Sequence, residues 1–133
     1  MPANTEGESN TAVGSTVMTL NTTGSFNVAM GRSALGVNTT GNFNVAIGRN
    51  ALVANTTAAN NVAVGNLALR ENLGPNNTAL GAYAMENLTT GSTNTAVGWA
   101  AGYDLTDGTN NVLIGKNANA GATNRSHAIV IGH

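Results

Sequence analysis

The chain has 133 residues, of which Asn, Ala, Thr and Gly supply 78, with five aromatic side chains and a net charge of −1. Leu, Ile, Val and Phe sum to only 27, too few for a layered domain with a thick aliphatic core. There is no basic surplus for a phosphate backbone, no cysteine for a disulfide, thiolate or zinc site, and no apolar run long enough to span a membrane.

Residues 1–9 are polar and carry neither a basic n-region nor an apolar h-region, so they read as an N-terminal polar segment with no Sec signal peptide. A repeat begins at Asn10. The pentad Asn-x-Ala-x-Gly recurs at Asn10–Gly14, Asn27–Gly31, Asn44–Gly48, Asn61–Gly65, Asn77–Gly81 and Asn94–Gly98, with looser copies at Asn111–Gly115 and Ala128–Gly132. Successive starts lie 17, 17, 17, 16, 17, 17 and 17 residues apart. Position two of the pentad is always β-branched and position four always aliphatic, an alternation of period two that predicts a short strand ended by a glycine bend. After the bend comes a small-plus-large pair such as Ala34-Leu35 or Ala51-Leu52, which fits either a second short strand or a single helical turn. A turn of the type Asn38-Thr39-Thr40-Gly41 closes the unit.

A unit this short suits one coil of a parallel β-solenoid, in which equivalent residues stack at the inter-strand spacing. Residues 10–133 are therefore expected to form a single all-β solenoid domain of about eight coils, roughly 35–40 Å long. Stacking would place the Asn columns in ladders of amide hydrogen bonds and leave room inside only for small residues. The one-residue deletion near Leu73-Gly74-Pro75 falls in the turn, where length changes are tolerated. Ile47, flanked one coil away by Met30 and Val64, is expected to resist an acidic substitution more strongly than Asn38 in the turn. One coil has too little interior for positions two, four and nine together, so part of this apolar surface should face another chain.

The pentads Asn44–Gly48 and Asn94–Gly98 resemble the head repeats of trimeric autotransporter adhesins, and the longer unit with Ala51-Leu52 and Asn38–Gly41 resembles repeats of phage tail fibres. The resemblance implies a left-handed β-roll and a homotrimeric fibre, with no catalytic residues. It departs from the adhesin heads in period, which there is nearer 14 residues. It also implies a virion or extracellular setting.

The chemistry-bearing residues are few. His127 and His133 lie far in sequence from any placed acid, and Asp104 with Asp107-Gly108 lacks the following ligands of a calcium loop. No catalytic residue, cofactor or metal site is therefore predicted. Arg32 and Arg49 share position six with Lys116, and stacked like charges could contact an acidic glycan or simply stay solvated. Phe26 and Phe43 share position seventeen and should stack. Trp99, Tyr83 and Tyr103 are the other large-faced side chains available to a sugar or receptor. Ile129 and Ile131, in the most hydrophobic strand, are candidate end-to-end contacts with a second copy or a further fibre domain. The leading expectation is a non-enzymatic structural or adhesive fibre module that spaces or presents a binding surface. The alternatives are a self-assembling filament subunit and an ice-binding solenoid, and neither nucleic acid nor membrane insertion is expected.

Overall fold

The computed structural model describes residues 2–132. Eight three-residue strands, β1 (Thr11–Val13), β2 (Val28–Met30), β3 (Val45–Ile47), β4 (Val62–Val64), β5 (Thr78–Leu80), β6 (Thr95–Val97), β7 (Val112–Ile114) and β8 (Ile129–Ile131), form one parallel sheet in chain order. Each coil contributes one strand, so the chain is a β-solenoid with in-register columns, such as Val28↔Val45 and Ala29↔Ala46. Among the described residues no helix is long and apolar enough to cross a membrane.

The strands are short because a left-handed residue, such as Phe26 (φ 58°) or Phe43 (φ 57°), stands two positions before each and a glycine bend follows directly. Position five is glycine with φ between 120° and 143° from Gly14 to Gly115, and at Gly48 an added Cβ would run into the carbonyl of Gly65 in the next coil. The segment after the bend is neither a strand nor a helical turn. It holds alternating left-handed residues, among them Ser33 (φ 60°) and Leu35 (φ 48°), and is secured between coils by bonds such as Leu35 N–H to Ala51 O at 3.1 Å. A left-handed non-glycine residue costs about 1–2 kcal/mol, which the stacked neighbours must offset in every coil.

This geometry decides which column is the core. Position three, alanine in β2 to β6, points inward and is fully buried, as are Leu35, Leu52, Leu69 and Met85 at position nine. Position four points outward. Ile47 is 37% exposed, and Val13, Met30, Leu80 and Ile114 are exposed with it. The expectation that Ile47 lies in the core and Asn38 in a tolerant turn is thus reversed, since Asn38 is completely buried. The physical reason is volume. The Leu and Met side chains entering from the turn side fill the narrow coil and leave room only for a methyl group from the strand side.

The Asn columns hold the coils together. At position one, each Oδ1 accepts the backbone N–H of the next coil's position one, as in Asn44 N to Asn27 Oδ1 at 2.9 Å and Asn61 N to Asn44 Oδ1 at 3.0 Å. The same amide donates to a turn carbonyl one coil on, Asn27 Nδ2 to Gly41 O at 2.8 Å and Asn44 Nδ2 to Ala58 O at 2.9 Å. At position twelve the amides bond one another directly, Asn38 to Asn21 at 2.8 Å and Asn55 to Asn38 at 3.0 Å. Buried amides are tolerable because nearly every donor and acceptor is paired.

The 16-residue coil marks the exception. Its missing residue lies between Leu73 and Gly74, and sheet register survives as Val62↔Thr78. Gly74 O now accepts both Asn72 Nδ2 at 2.7 Å and Asn77 Nδ2 at 3.3 Å, and two buried amide atoms, Asn55 Oδ1 and Asn61 Nδ2, are left without partners. The tightened turn has turned the Asn72 amide away from Asn55 and displaced Asn61 from its usual carbonyl.

The solenoid also starts before the first pentad. Thr5, Glu6 and Gly7 donate backbone N–H groups to Thr22 O, and Asn21 Nδ2 reaches Asn4 Oδ1 at 3.0 Å. Residues 4–9 are thus the closing half of a preceding coil rather than a separate polar segment. The signal was present as Asn4-Thr5-Glu6-Gly7, a copy of the Asn-Thr-Thr-Gly turn.

Candidate functional site

Two surface features stand out from the regular polar exterior. The first is the outer face of the sheet, where positions two and four place a double column of Val, Ile, Leu, Met and Thr side chains. Ile129 and Ile131 continue it in β8 and point sideways with these columns, each 75% exposed. Seven inter-strand spacings by three residues give a flat apolar strip of roughly 340 Å². Phe26 and Phe43 flank the strip at one end, their rings parallel with centroids 5.1 Å apart.

The second feature lies past the glycine bend in the C-terminal half. Tyr83, from position seven of one coil, meets Trp99, from position six of the next, edge to face with centroids 5.9 Å apart. The 16-residue offset between them is one coil less one position, so the period already made them neighbours. Lys116, one coil further on at position six, lies with Nζ 5.6 Å from the Trp99 ring centroid. Tyr83, Trp99, Tyr103, Asp104, Asn117 and Asn119 line an open cleft of about 460 Å³. Asp104 Oδ2 accepts Asn119 Nδ2 at 3.1 Å, while the Asp104 backbone N–H donates to Asn119 Oδ1 at 3.4 Å. A second cleft of about 430 Å³, lined by Asn87, Thr106 and Thr123 among others, also has Asp104 in its wall.

The three aromatics singled out in the sequence therefore come together, whereas the polar wall of Asp104, Asn117 and Asn119 was not read as part of the same place. The signal for it is Asn119, a polar residue at position nine, where the coils up to Met85 carry Leu or Met. Arg32 and Arg49 lie elsewhere, exposed on adjacent coils and in no ion pair among the described residues. The charged side chains that do pair are Arg70 with Glu86 in the next coil, at 2.8 Å, and Arg70 with Glu71 at 2.8 Å. Asp107 is held below the ordinary carboxylate range chiefly by the Thr89 hydroxyl, with Thr90 and Thr106 adding to it. His127 contacts the Asn110 amide at 3.3 Å, and His133 lies outside the described residues. Among the described residues no three His, Cys, Asp or Glu side chains gather as metal ligands.

Comparison with protein-family models, with curated proteins and with solved structures returns no match.

Proposed function

We propose that the chain is a non-enzymatic structural or adhesive fibre module that associates with copies of itself through the outer face of its sheet, as a homotrimer. The carrying observation is the outward column of position four, exposed at Val13, Met30, Ile47, Leu80, Ile114 and Ile131, beside a position-two column of Val and Thr that is half-buried from Val28 to Val112. A strip of this size equals the largest apolar patch of an ordinary soluble monomer, about 300–600 Å², and patches of that kind are often functional. The strip alone is smaller than the roughly 800 Å² per partner of a stable interface, so flanking surface on the position-seventeen side must join it. Packing around a three-fold axis joins two different patches of each chain, here the strip and the surface beside it, and closes into a ring. The trimer, and a virion or extracellular setting, follow from the resemblance to adhesin heads and tail fibres.

The ice-binding alternative finds less support. Its hydroxyl row would be the Thr column at position thirteen, but Thr22, Thr39, Thr89 and Thr106 all donate to carbonyls of the next coil. Those hydroxyls are tied up within the fold. The proposal is tested by sedimentation equilibrium of the unmodified chain and of an Ile47→Lys, Leu80→Lys variant. A trimer mass is expected for the first, and a monomer with unchanged far-UV circular dichroism for the second. A monomer mass for the unmodified chain would overturn the proposal.

A further inference from the structure

We propose that the cleft walled by Tyr83, Trp99 and Tyr103 binds a neutral glycan. The apolar face of a pyranose ring would lie on the aromatic walls, with its hydroxyls bonded to Asp104, Asn117 and Asn119. Half of the Trp99 surface is exposed, in a chain that has only this one tryptophan. Such a side chain gains little from folding where it stands. Its ring is nonetheless fixed, by Tyr83 edge-on at 5.9 Å and by the Lys116 ammonium 5.6 Å from its centroid. A preset aromatic surface is what a flat, rigid ligand needs, because little side-chain freedom is lost on binding.

The polar side of the cleft is set in the same way. Asn119 holds Asp104 by two hydrogen bonds that engage Oδ2 and the backbone N–H. Oδ1 of Asp104 and the Asn117 amide make no hydrogen bond among the described residues. They supply an acceptor and a donor-acceptor pair at the rim, the combination that reads vicinal hydroxyl groups. The volume, about 460 Å³, falls within the range of small-ligand sites, about 300–1,000 Å³. The adjoining cleft of about 430 Å³ meets it at Asp104, which offers a second sugar its own place.

Charge narrows the class further. Three aromatics and a carboxylate could also cage a quaternary ammonium, but the Lys116 ammonium already sits against Trp99 and would repel a second cation. An anionic sugar would meet the Asp104 carboxylate at short range. A neutral ligand with one apolar face and a hydroxyl-bearing edge avoids both penalties. The cleft is built from positions six to eleven, beyond the bend from the outer sheet face, so the inference stands apart from the assembly state proposed above.

The single tryptophan makes the test direct. Its fluorescence is followed while D-glucose, D-galactose, D-mannose, N-acetyl-D-glucosamine and a trisaccharide of each are titrated into the full chain, with tetramethylammonium and acetate as ionic probes. For a hexose of ordinary ligand efficiency a dissociation constant of about 1 mM is expected, with the trisaccharide tighter. Asp104→Ala and Tyr103→Ala, both at exposed positions, should weaken binding about tenfold or more while leaving the far-UV spectrum unchanged. Tyr103→Phe should retain the stacking part. No response to any sugar, saturation by tetramethylammonium instead, or undiminished binding by the Asp104→Ala chain would each overturn the proposal. Sedimentation of the same samples reports the oligomer independently, so loss of sugar binding and loss of the trimer remain separate results.

Discussion

Replacing Asn38 by aspartate changes one buried NH₂ group to an oxygen, and its cost follows from the atoms around it. Asn38 Nδ2 donates to Asn21 Oδ1 at 2.8 Å and to Gly41 O at 3.0 Å, while its Oδ1 accepts Asn55 Nδ2 at 3.0 Å. In the Asn38→Asp chain the Gly41 carbonyl keeps its bond from Asn27 Nδ2 at 2.8 Å, but Asn21 Oδ1 loses its donor. An orphaned buried acceptor costs about 1–3 kcal/mol. The new carboxylate oxygen would also face two acceptors with no solvent beside it, for a total of about 3–5 kcal/mol. At a few degrees per kcal/mol for a chain of this length, the melting temperature should fall by about 10–20 °C near neutral pH. Burial raises the aspartate's folded-state pKa above its unfolded value. The deficit is therefore largest at high pH and shrinks as pH falls through the raised pKa, where a protonated carboxyl can donate to Asn21. Ile47→Asp is the matched control. Its side chain is already 37% exposed on the outer face, so in samples diluted below the assembly threshold it should cost less than about 1 kcal/mol. Circular dichroism melts of both variants at about pH 7 and about pH 4 decide the matter. Equal losses for the two variants in the dispersed protein, or an Asn38→Asp deficit that grows on acidification, would refute this account of the columns.

Two other perturbations test the interior. Inserting a threonine between Leu73 and Gly74 restores the coil to seventeen residues and should return partners to Asn55 Oδ1 and Asn61 Nδ2, the two unpaired amide atoms. A stabilisation of about 1–3 kcal/mol is expected from denaturant titration, and destabilisation would show that the short turn is not the cause. Gly102, at position nine, is crowded by Met85 and Leu113, whose atoms would lie 2.8 and 2.9 Å from an added Cβ. Gly102→Met and Leu113→Ala should therefore each destabilise alone, and the double variant should recover about 1–3 kcal/mol relative to their sum. Simple additivity would deny that positions three and nine compete for one space.

The period alone made the coil count, strand positions and inter-coil register legible, because a parallel stack forces equivalent residues into columns. Even the short coil was placed correctly, since only a turn can lose a residue without shifting the sheet. The inward column is hidden from the sequence for a definite reason. Ile47 is more hydrophobic than Ala46, and hydrophobicity is ordinarily the sign of burial. In so narrow a coil volume outranks hydrophobicity, and a methyl group is all the strand can bring inside. Asn38 resembles an ordinary turn residue for the complementary reason. Its composition says polar and exposed, whereas its amide is buried to saturate the stack. Left-handed Leu35 and Leu52 could not be read at all, because their conformation runs against local preference and is imposed by the coils above and below. At the candidate cleft, the edge-to-face meeting of Tyr83 with Trp99 is implied by the spacing. The Asp104–Asn119 pair is not, since it depends on how the chain departs from the repeat.

That departure links the core to the surface. From Met18 to Met85 a large side chain enters each coil at position nine, opposite alanine or its equivalent at position three. In the last two full coils position nine becomes Gly102 and then Asn119, while Leu113 takes position three and fills the interior from the strand side. Position twelve changes one coil earlier, from buried Asn72 to buried Leu88 and Leu105, so Leu105 and Leu113 supply apolar volume that Gly102 and Asn119 do not. Released from the core, position nine is free to carry a polar side chain, and Asn119 uses it to fix Asp104. The cleft therefore needs no inserted loop. It arises within the regular period, by moving the large residue from one inward position to another and letting the vacated wall face solvent. A solenoid can vary its binding surface in this way while sheet register and the position-one Asn ladder continue undisturbed through the same coils.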